Sequence, residues 1–119
     1  MLAKKHRFQG QTGLTRVYQK GTTVRSQFCA ARFKRGGREQ FRVAVVVSKK
    51  VAKVAPVRNR IRRRIYEVVR LHASEYLTTE DVVITVFDAR LSDIEHHELE
   101  EIIIRLLQQI RESAWYTST

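Results

Sequence analysis

From Thr12 to Lys20 the apolar residues Leu14, Val17 and Tyr18 recur at i, i+3 and i+4, the spacing of one helix face. Gly21 follows, the residue expected just past a helix C-terminus. The pattern then changes to β-branched and aromatic residues over Val24–Phe33. Phe41–Ser48, FRVAVVVS, is nearly all apolar and predicts a central strand covered on both faces. Arg35-Gly36-Gly37-Arg38 between them is a reversal signal, so the two stretches predict a hairpin. Pro56 suits the first turn of a second helix, predicted to run to about Leu77. On it Val57, Ile61, Ile65, Val68 and His72 share one face, with Asn59, Arg60, Arg63 and Arg70 opposite. Asp81–Phe87, DVVITVF, predicts another buried strand. Asp93 is expected to cap a last helix, whose apolar stripe is Leu99, Ile102, Ile103, Leu106, Leu107 and Ile110.

The order is helix, two or three strands, helix, strand, helix, which predicts an α+β sandwich with helices packed on a sheet. At 119 residues, without a repeat or low-complexity linker, the chain reads as one domain over residues 1–119. Residues 1–10 are polar and basic with little periodicity, and read as a mobile arm anchored by Phe8. The 43% hydrophobic content excludes a disordered chain. No apolar run reaches the roughly 18 residues of a membrane span. Lys4, Lys5 and Arg7 are followed by no apolar stretch, so a secretory signal is not expected. Cys29, the sole cysteine, is expected as a buried strand residue in a reducing compartment, and a cytoplasmic location follows.

Charge changes the picture. Residues 1–70 hold 20 Lys and Arg against two acids, Glu39 and Glu67, a net of +18. Residues 71–119 hold three Arg against ten acids, a net of −7. Solubility does not require the two signs to be segregated, and a polyanionic partner on one surface explains it. The cations concentrate where a helix least tolerates them. Arg58, Arg60, Arg62, Arg63 and Arg64 fill the first turns of the second helix, although its N-terminal partial charge disfavours each cation there by roughly 0.3–1 kcal/mol. A planar guanidinium matches phosphate oxygens, so the cluster is expected to be a phosphate-contacting surface. Lys49, Lys50 and Lys53 extend it, and Asn59 adds an amide able to meet a base edge or sugar. In the N-terminal third Phe8, Tyr18, Phe28 and Phe33 are interleaved with Arg7, Arg16, Lys20, Arg25 and Arg32. Stacking rings beside backbone-holding cations suit single-stranded nucleic acid, although Phe28 or Phe33 could equally be core.

Intrinsic catalysis is poorly supported. A two-metal nuclease needs carboxylates that hold ions about 3.5–4 Å apart. Asp81 and Asp88 are seven residues apart, so a strand between them separates them by roughly 23 Å. His97 and Glu101 could touch one cation, but two ligands are too few for a dedicated site. Gly36-Gly37 precedes a strand rather than a helix, so it is not a phosphate loop.

Phe41–Lys50 followed closely by Arg58-Asn59-Arg60-Ile61-Arg62-Arg63 resembles the bacterial ribonuclease P protein subunit, whose signature is an SKK turn before an RNR-centred helix. Arg7-Phe8, Leu14, Tyr18 and Gly21 resemble that family's first helix, so the likeness covers nearly the whole chain. It implies an αβββαβα fold with a left-handed βαβ crossover. It also implies a catalytic RNA as partner, which with Mg²⁺ removes the 5′ leader of precursor tRNA, and no role for membrane or DNA. By position Lys49, Lys50, Lys53, Arg58, Asn59, Arg60, Arg62 and Arg63 would meet the catalytic RNA. Phe8, Leu14, Arg16, Tyr18 and the sheet around Phe28 would take the leader, with no catalytic side chain in the protein. The chain departs from the family at Ala52, where Gly is usual, at the inserted Pro56, at Leu14, where Phe is common, and at Phe87, where Arg is often found. A general or ribosome-associated RNA-binding protein and a self-sufficient nuclease are the rival readings. The SKK–RNR pair opposes the first and the scattered carboxylates oppose the second.

Overall fold

The computed structural model describes residues 2–8, 12–36 and 39–117, with the side chains of residues 12 and 114–117 left aside. Helix α1 spans Thr12–Lys20, followed by β1 (Thr22–Ser26), β2 (Cys29–Arg35) and β3 (Arg42–Val47). Helix α2 (Ala55–His72), β4 (Glu80–Val86) and α3 (His96–Thr117) complete the order. The four strands lie as β1-β2-β4-β3, with β3 and β4 parallel and the other pairs antiparallel. The fold is α+β, three helices on a mixed sheet.

The register explains the two layers. Cys29, Ala31 and Phe33 align with Val86, Ile84 and Val82, which align in turn with Val47, Val45 and Val43. All nine are buried, with Ile61, Ile65 and Val68 of α2 and Leu99, Ile103 and Leu106 of α3, in one core. Each Val, Ile, Leu or Phe among them contributes about 1.5–3 kcal/mol by leaving water. The opposite face carries α1, through Val17 packed with no exposure over the sheet. Arg32 Nε of β2 donates to the Val17 carbonyl at 3.1 Å, and Gly21 N–H closes the helix on the same carbonyl at 2.8 Å. A Cβ at Gly21 would sit 2.4 Å from that oxygen, so only glycine fits here.

Three expectations are corrected. Val24–Phe33 is not one strand pairing with Phe41–Ser48. It is itself a hairpin, β1 and β2, turning at Gln27-Phe28, where Phe28 takes φ 70°. β4 then inserts between β2 and β3, because its 80–84 run is buried on both sides, whereas β3 alternates and occupies an edge. The hairpin signal failed because no glycine marks the true turn; Gly37 and Arg38 of the predicted reversal lie outside the described residues. The second helix ends at His72 and is followed by a single 3-10 turn, Ala73–Glu75. Asp93 does not cap α3, which starts at His96; Asp88 instead caps a 3-10 turn, accepting from Arg90 N–H at 2.9 Å.

The N-terminal segment is docked over residues 2–8. Leu2 joins the core, and the His6 ring stacks on Phe41 at 3.9 Å while Nδ1 donates to the Phe41 carbonyl at 3.0 Å. Cys29 is fully buried, and desolvation pushes its thiol pKa up to about 12.

Candidate nucleic-acid interface

Helix α2 begins without the usual electrostatic support. Its N-cap is Val54, which offers no side-chain oxygen, and its first turn contains no acid. The basic side chains that follow divide into two kinds. Arg58 Nη1 donates to the carbonyls of Ala52 at 2.8 Å and Lys53 at 2.9 Å, folding the connector back onto the helix. Ser48 closes the preceding turn by accepting from Val51 and Ala52 N–H at 3.1 and 3.2 Å. Lys49, Lys50 and Lys53 are thereby left exposed around the start of α2. Arg64 donates to the carbonyls of Leu91 at 2.8 Å and Ile94, tying α2 to the loop before α3. It belongs to the fold's internal bonding rather than to the free basic surface on which its charge placed it.

The remaining α2 cations face outward. Arg60 and Arg63 are exposed and have no ion-pair partner among the described residues. Arg62 donates to the Asn59 side-chain oxygen one turn earlier. Pro56, Asn59, Arg62, Arg63 and Tyr66 line an open groove of about 540 Å³ on this face. Tyr66 was not singled out from the sequence. Its hydroxyl accepts from Val45 N–H at 3.0 Å, satisfying a donor on the free edge of β3.

The second surface lies across the sheet, on the α1 side. Leu14 and Tyr18 share a stripe of α1, and Tyr18 is 47% exposed rather than core. Arg16 projects about 200° round the helix from Leu14, and is exposed on another face. Phe8 lies beneath Arg42, whose guanidinium carbon is 4.6 Å from the ring centroid. Arg42 is held by Asp81 through Nε–Oδ1 at 2.8 Å and Nη2–Oδ2 at 2.7 Å. That bond keeps the Arg42 guanidinium above its ordinary pKa, burial only partly opposing it.

By the likeness, Phe28 belongs to the sheet face across from Leu14 and Tyr18. It sits in the β1–β2 turn, packed against the helix-side core and covered by Arg90 at 5.1 Å. What lies beyond α1 on this face is a floor of small side chains: Ala30 of β2 is paired with exposed Thr85 of β4, and Val46 of β3 lies beside Thr85. Phe87, 51% exposed, follows one residue past the strand. The sequence signal for this floor was weak: one threonine within DVVITVF, and Ala30 where a packed strand would carry a larger group.

The acids are engaged elsewhere. Glu80 Oε1 accepts from Thr78 and Thr79 N–H at 2.7 and 3.1 Å. Glu100 meets both His72 and His96 at 3.1 Å, and His97 meets Glu101 at 3.2 Å. Among the described residues no three His, Cys, Asp or Glu form a group able to hold a metal ion. No helix among them is long and apolar enough to cross a membrane.

The arrangement thus presents one basic helix face and one open sheet face, which is suited to holding a polyanion. A family model described as ribonuclease P matches residues 2–111. The chain is 35% identical over 94 residues to the ribonuclease P protein component of Caldanaerobacter subterraneus subsp. tengcongensis, covering 79% of each chain. It is 32% identical over 108 residues to that of Dictyoglomus thermophilum, covering 89% of this chain and 88% of the other. The solved ribonuclease P protein of Staphylococcus aureus shares the fold, with a TM-score of 0.76 at 22% identity over 88% of this chain and 94% of that one. The chain belongs to the ribonuclease P family, as a bacterial protein subunit of that tRNA-processing endoribonuclease.

Proposed function

We propose that the protein holds two RNA elements for a reaction whose chemistry belongs to the catalytic RNA. The α2 surface, with Lys49, Lys50, Lys53, Arg60, Arg62, Arg63 and Asn59, binds that RNA. Arg58 positions the connector that carries the lysines. The sheet face beside Leu14 and Tyr18 takes the single-stranded 5′ leader of precursor tRNA, so that the holoenzyme cleaves at the mature 5′ end. The observation that carries this reading is the start of α2: cations crowd an uncapped N-terminus that has no acid in its first turn. An isolated helix is weakened by that arrangement, and a bound polyphosphate reverses the sign of the effect.

Mg²⁺, which the reaction requires, has no matching donor set in the described residues. We therefore place it mostly on the RNA and route none of the protein's work through it. The protein's work is binding and orientation: fixing a flexible leader converts part of the entropic barrier into prior binding energy. The buried thiol of Cys29 is compatible with work in the cytoplasm.

Copurification of RNA with the protein from its own cells tests the reading. One abundant structured RNA, together with precursor tRNA, supports it. Ribosomal RNA alone would contradict it.

A further inference from the structure

We propose that the groove on α2 lined by Pro56, Asn59, Arg62, Arg63 and Tyr66 receives one unpaired base of the catalytic RNA, so that this face recognises a single extruded nucleotide as well as phosphates. The inference rests on the reading of α2 as the RNA-binding face and gives that face its specificity element.

The groove differs from the rest of the basic surface in its floor. Positions 56, 59, 63 and 66 recur at helical spacing and form one stripe, with Arg62 beside it. Pro56 and the Tyr66 ring are apolar, whereas a site for phosphate alone needs only donors. The volume of about 540 Å³ falls in the range of small-ligand sites. It is open on one side, as a base still attached to its chain requires.

The walls are held before any ligand arrives. Tyr66 is fixed at its far end, since its hydroxyl accepts Val45 N–H at 3.0 Å from the β3 edge. Its ring therefore loses little freedom on stacking, which keeps the entropic cost of binding low. Asn59 is fixed through its side-chain oxygen, which accepts from Arg62. That leaves the Asn59 amide N–H groups available to an acceptor on a base edge. Arg63, exposed at the rim, suits the phosphate attached to that base. The sites combine as stacking surface, edge donor and phosphate holder, the three elements used for unpaired bases in RNA.

The test uses the full-length protein and its cognate catalytic RNA. Tyr66→Leu keeps an apolar side chain without a stacking face, while Tyr66→Phe keeps the ring without the hydroxyl. Affinity for the catalytic RNA is expected to fall about fivefold or more for Tyr66→Leu, the size of one base–aromatic stack. Tyr66→Phe is expected to stay within about twofold. The salt dependence should keep its slope in both, because no phosphate contact is removed, whereas Arg63→Ala should lower it by somewhat less than one unit. Crosslinking through α2 identifies the nucleotide, and an abasic substitution there is combined with Tyr66→Leu. Non-additive losses, the abasic RNA no longer distinguishing Tyr66 from Leu, support the base site even if Tyr66→Leu also lowers Tm. Additive losses overturn it. Wild-type affinity in Tyr66→Leu with weakened binding in Arg63→Ala overturns the base site and leaves α2 as a phosphate surface. Wild-type affinity in Tyr66→Leu, Arg60→Ala and Arg63→Ala together would instead overturn the assignment of α2 to RNA.

Discussion

Arg42 and Asp81 stand opposite each other on the parallel strands β3 and β4 and form a two-pronged bond, Nε to Oδ1 at 2.8 Å and Nη2 to Oδ2 at 2.7 Å. Their side chains are only 11% and 9% exposed. The same guanidinium lies over Phe8, and a Cβ at Gly13 would come within 2.9 Å of its Nη2. One ion pair thus joins the sheet edge, the N-terminal segment and the first turn of α1, and so positions the helix bordering the proposed leader site.

Asp81→Ala leaves Arg42 charged, nearly buried and without its carboxylate partner. Breaking such a pair is expected to cost about 3–5 kcal/mol, which lowers Tm by roughly 10 °C or more. Leader affinity should fall with it, because α1 loses its tether. Thermal unfolding beside wild type checks this, and an unchanged Tm would show that the pair positions nothing.

Tyr18 separates a binding role from a packing role. Its side chain is 47% exposed, so Tyr18→Ala should leave Tm close to wild type. If the ring stacks on a leader base, the variant holoenzyme should lose about 1–3 kcal/mol of affinity for leader-bearing precursor tRNA. Mature tRNA and the catalytic RNA should bind as before. Equal losses for tRNAs with and without leader would remove Tyr18 from the leader site.

The arginines of α2 should divide into two groups. Arg64→Ala gives up its bonds to the Leu91 and Ile94 carbonyls, a loss of about 1.5–3 kcal/mol of stability with little change in the salt slope of RNA binding. Arg60→Ala and Arg63→Ala should do the reverse, lowering the slope while Tm holds, because both side chains are exposed and have no ion-pair partner among the described residues. Arg58→Ala should affect both, since it frees the connector bearing Lys49, Lys50 and Lys53. Paired melting and salt titrations of the four variants measure the division.

Burial sets the pH dependence of Cys29. Its thiol titrates near 8.5 when unfolded and at about 12 in the fold. The unfolded chain therefore releases its proton first, and the stability present below about pH 8.5 is lost as pH rises toward the folded value. Cys29→Ala should show a flatter fall of stability between about pH 9 and 11 than wild type. At pH 8 the native thiol should stay unreactive toward a disulfide reagent until the protein is unfolded.

Legibility in the sequence followed burial and spacing. The α1 limits, the α3 stripe and the buried Cys29 were readable because each depends on local periodicity or a single residue's polarity. Strand order was not. Insertion of β4 between β2 and β3 depends on which strand is buried on both faces, and DVVITVF and FRVAVVVS look alike in that respect. The Gln27-Phe28 turn was hidden because a phenylalanine takes the positive φ that glycine usually signals. On α2 the charge run was plain, but the sequence does not tell that Arg58 and Arg64 reach carbonyls at 2.8 Å while Arg60 and Arg63 do not. Tyr66 escaped notice because its partner, Val45 N–H, is a backbone group on a strand whose edge position was itself misread.

If the protein holds RNA while the RNA carries the chemistry, cleavage of precursor tRNA must depend on the cognate catalytic RNA. The protein alone should give no 5′ cleavage over a range of Mg²⁺ concentrations. Added to the catalytic RNA at low Mg²⁺, it should raise the rate at the mature 5′ end, and more for substrates with a leader of several nucleotides than for those with one. Robust Mg²⁺-dependent cleavage by the RNA-free protein would place the chemistry in the protein, and no change when it joins the catalytic RNA would remove it from the reaction.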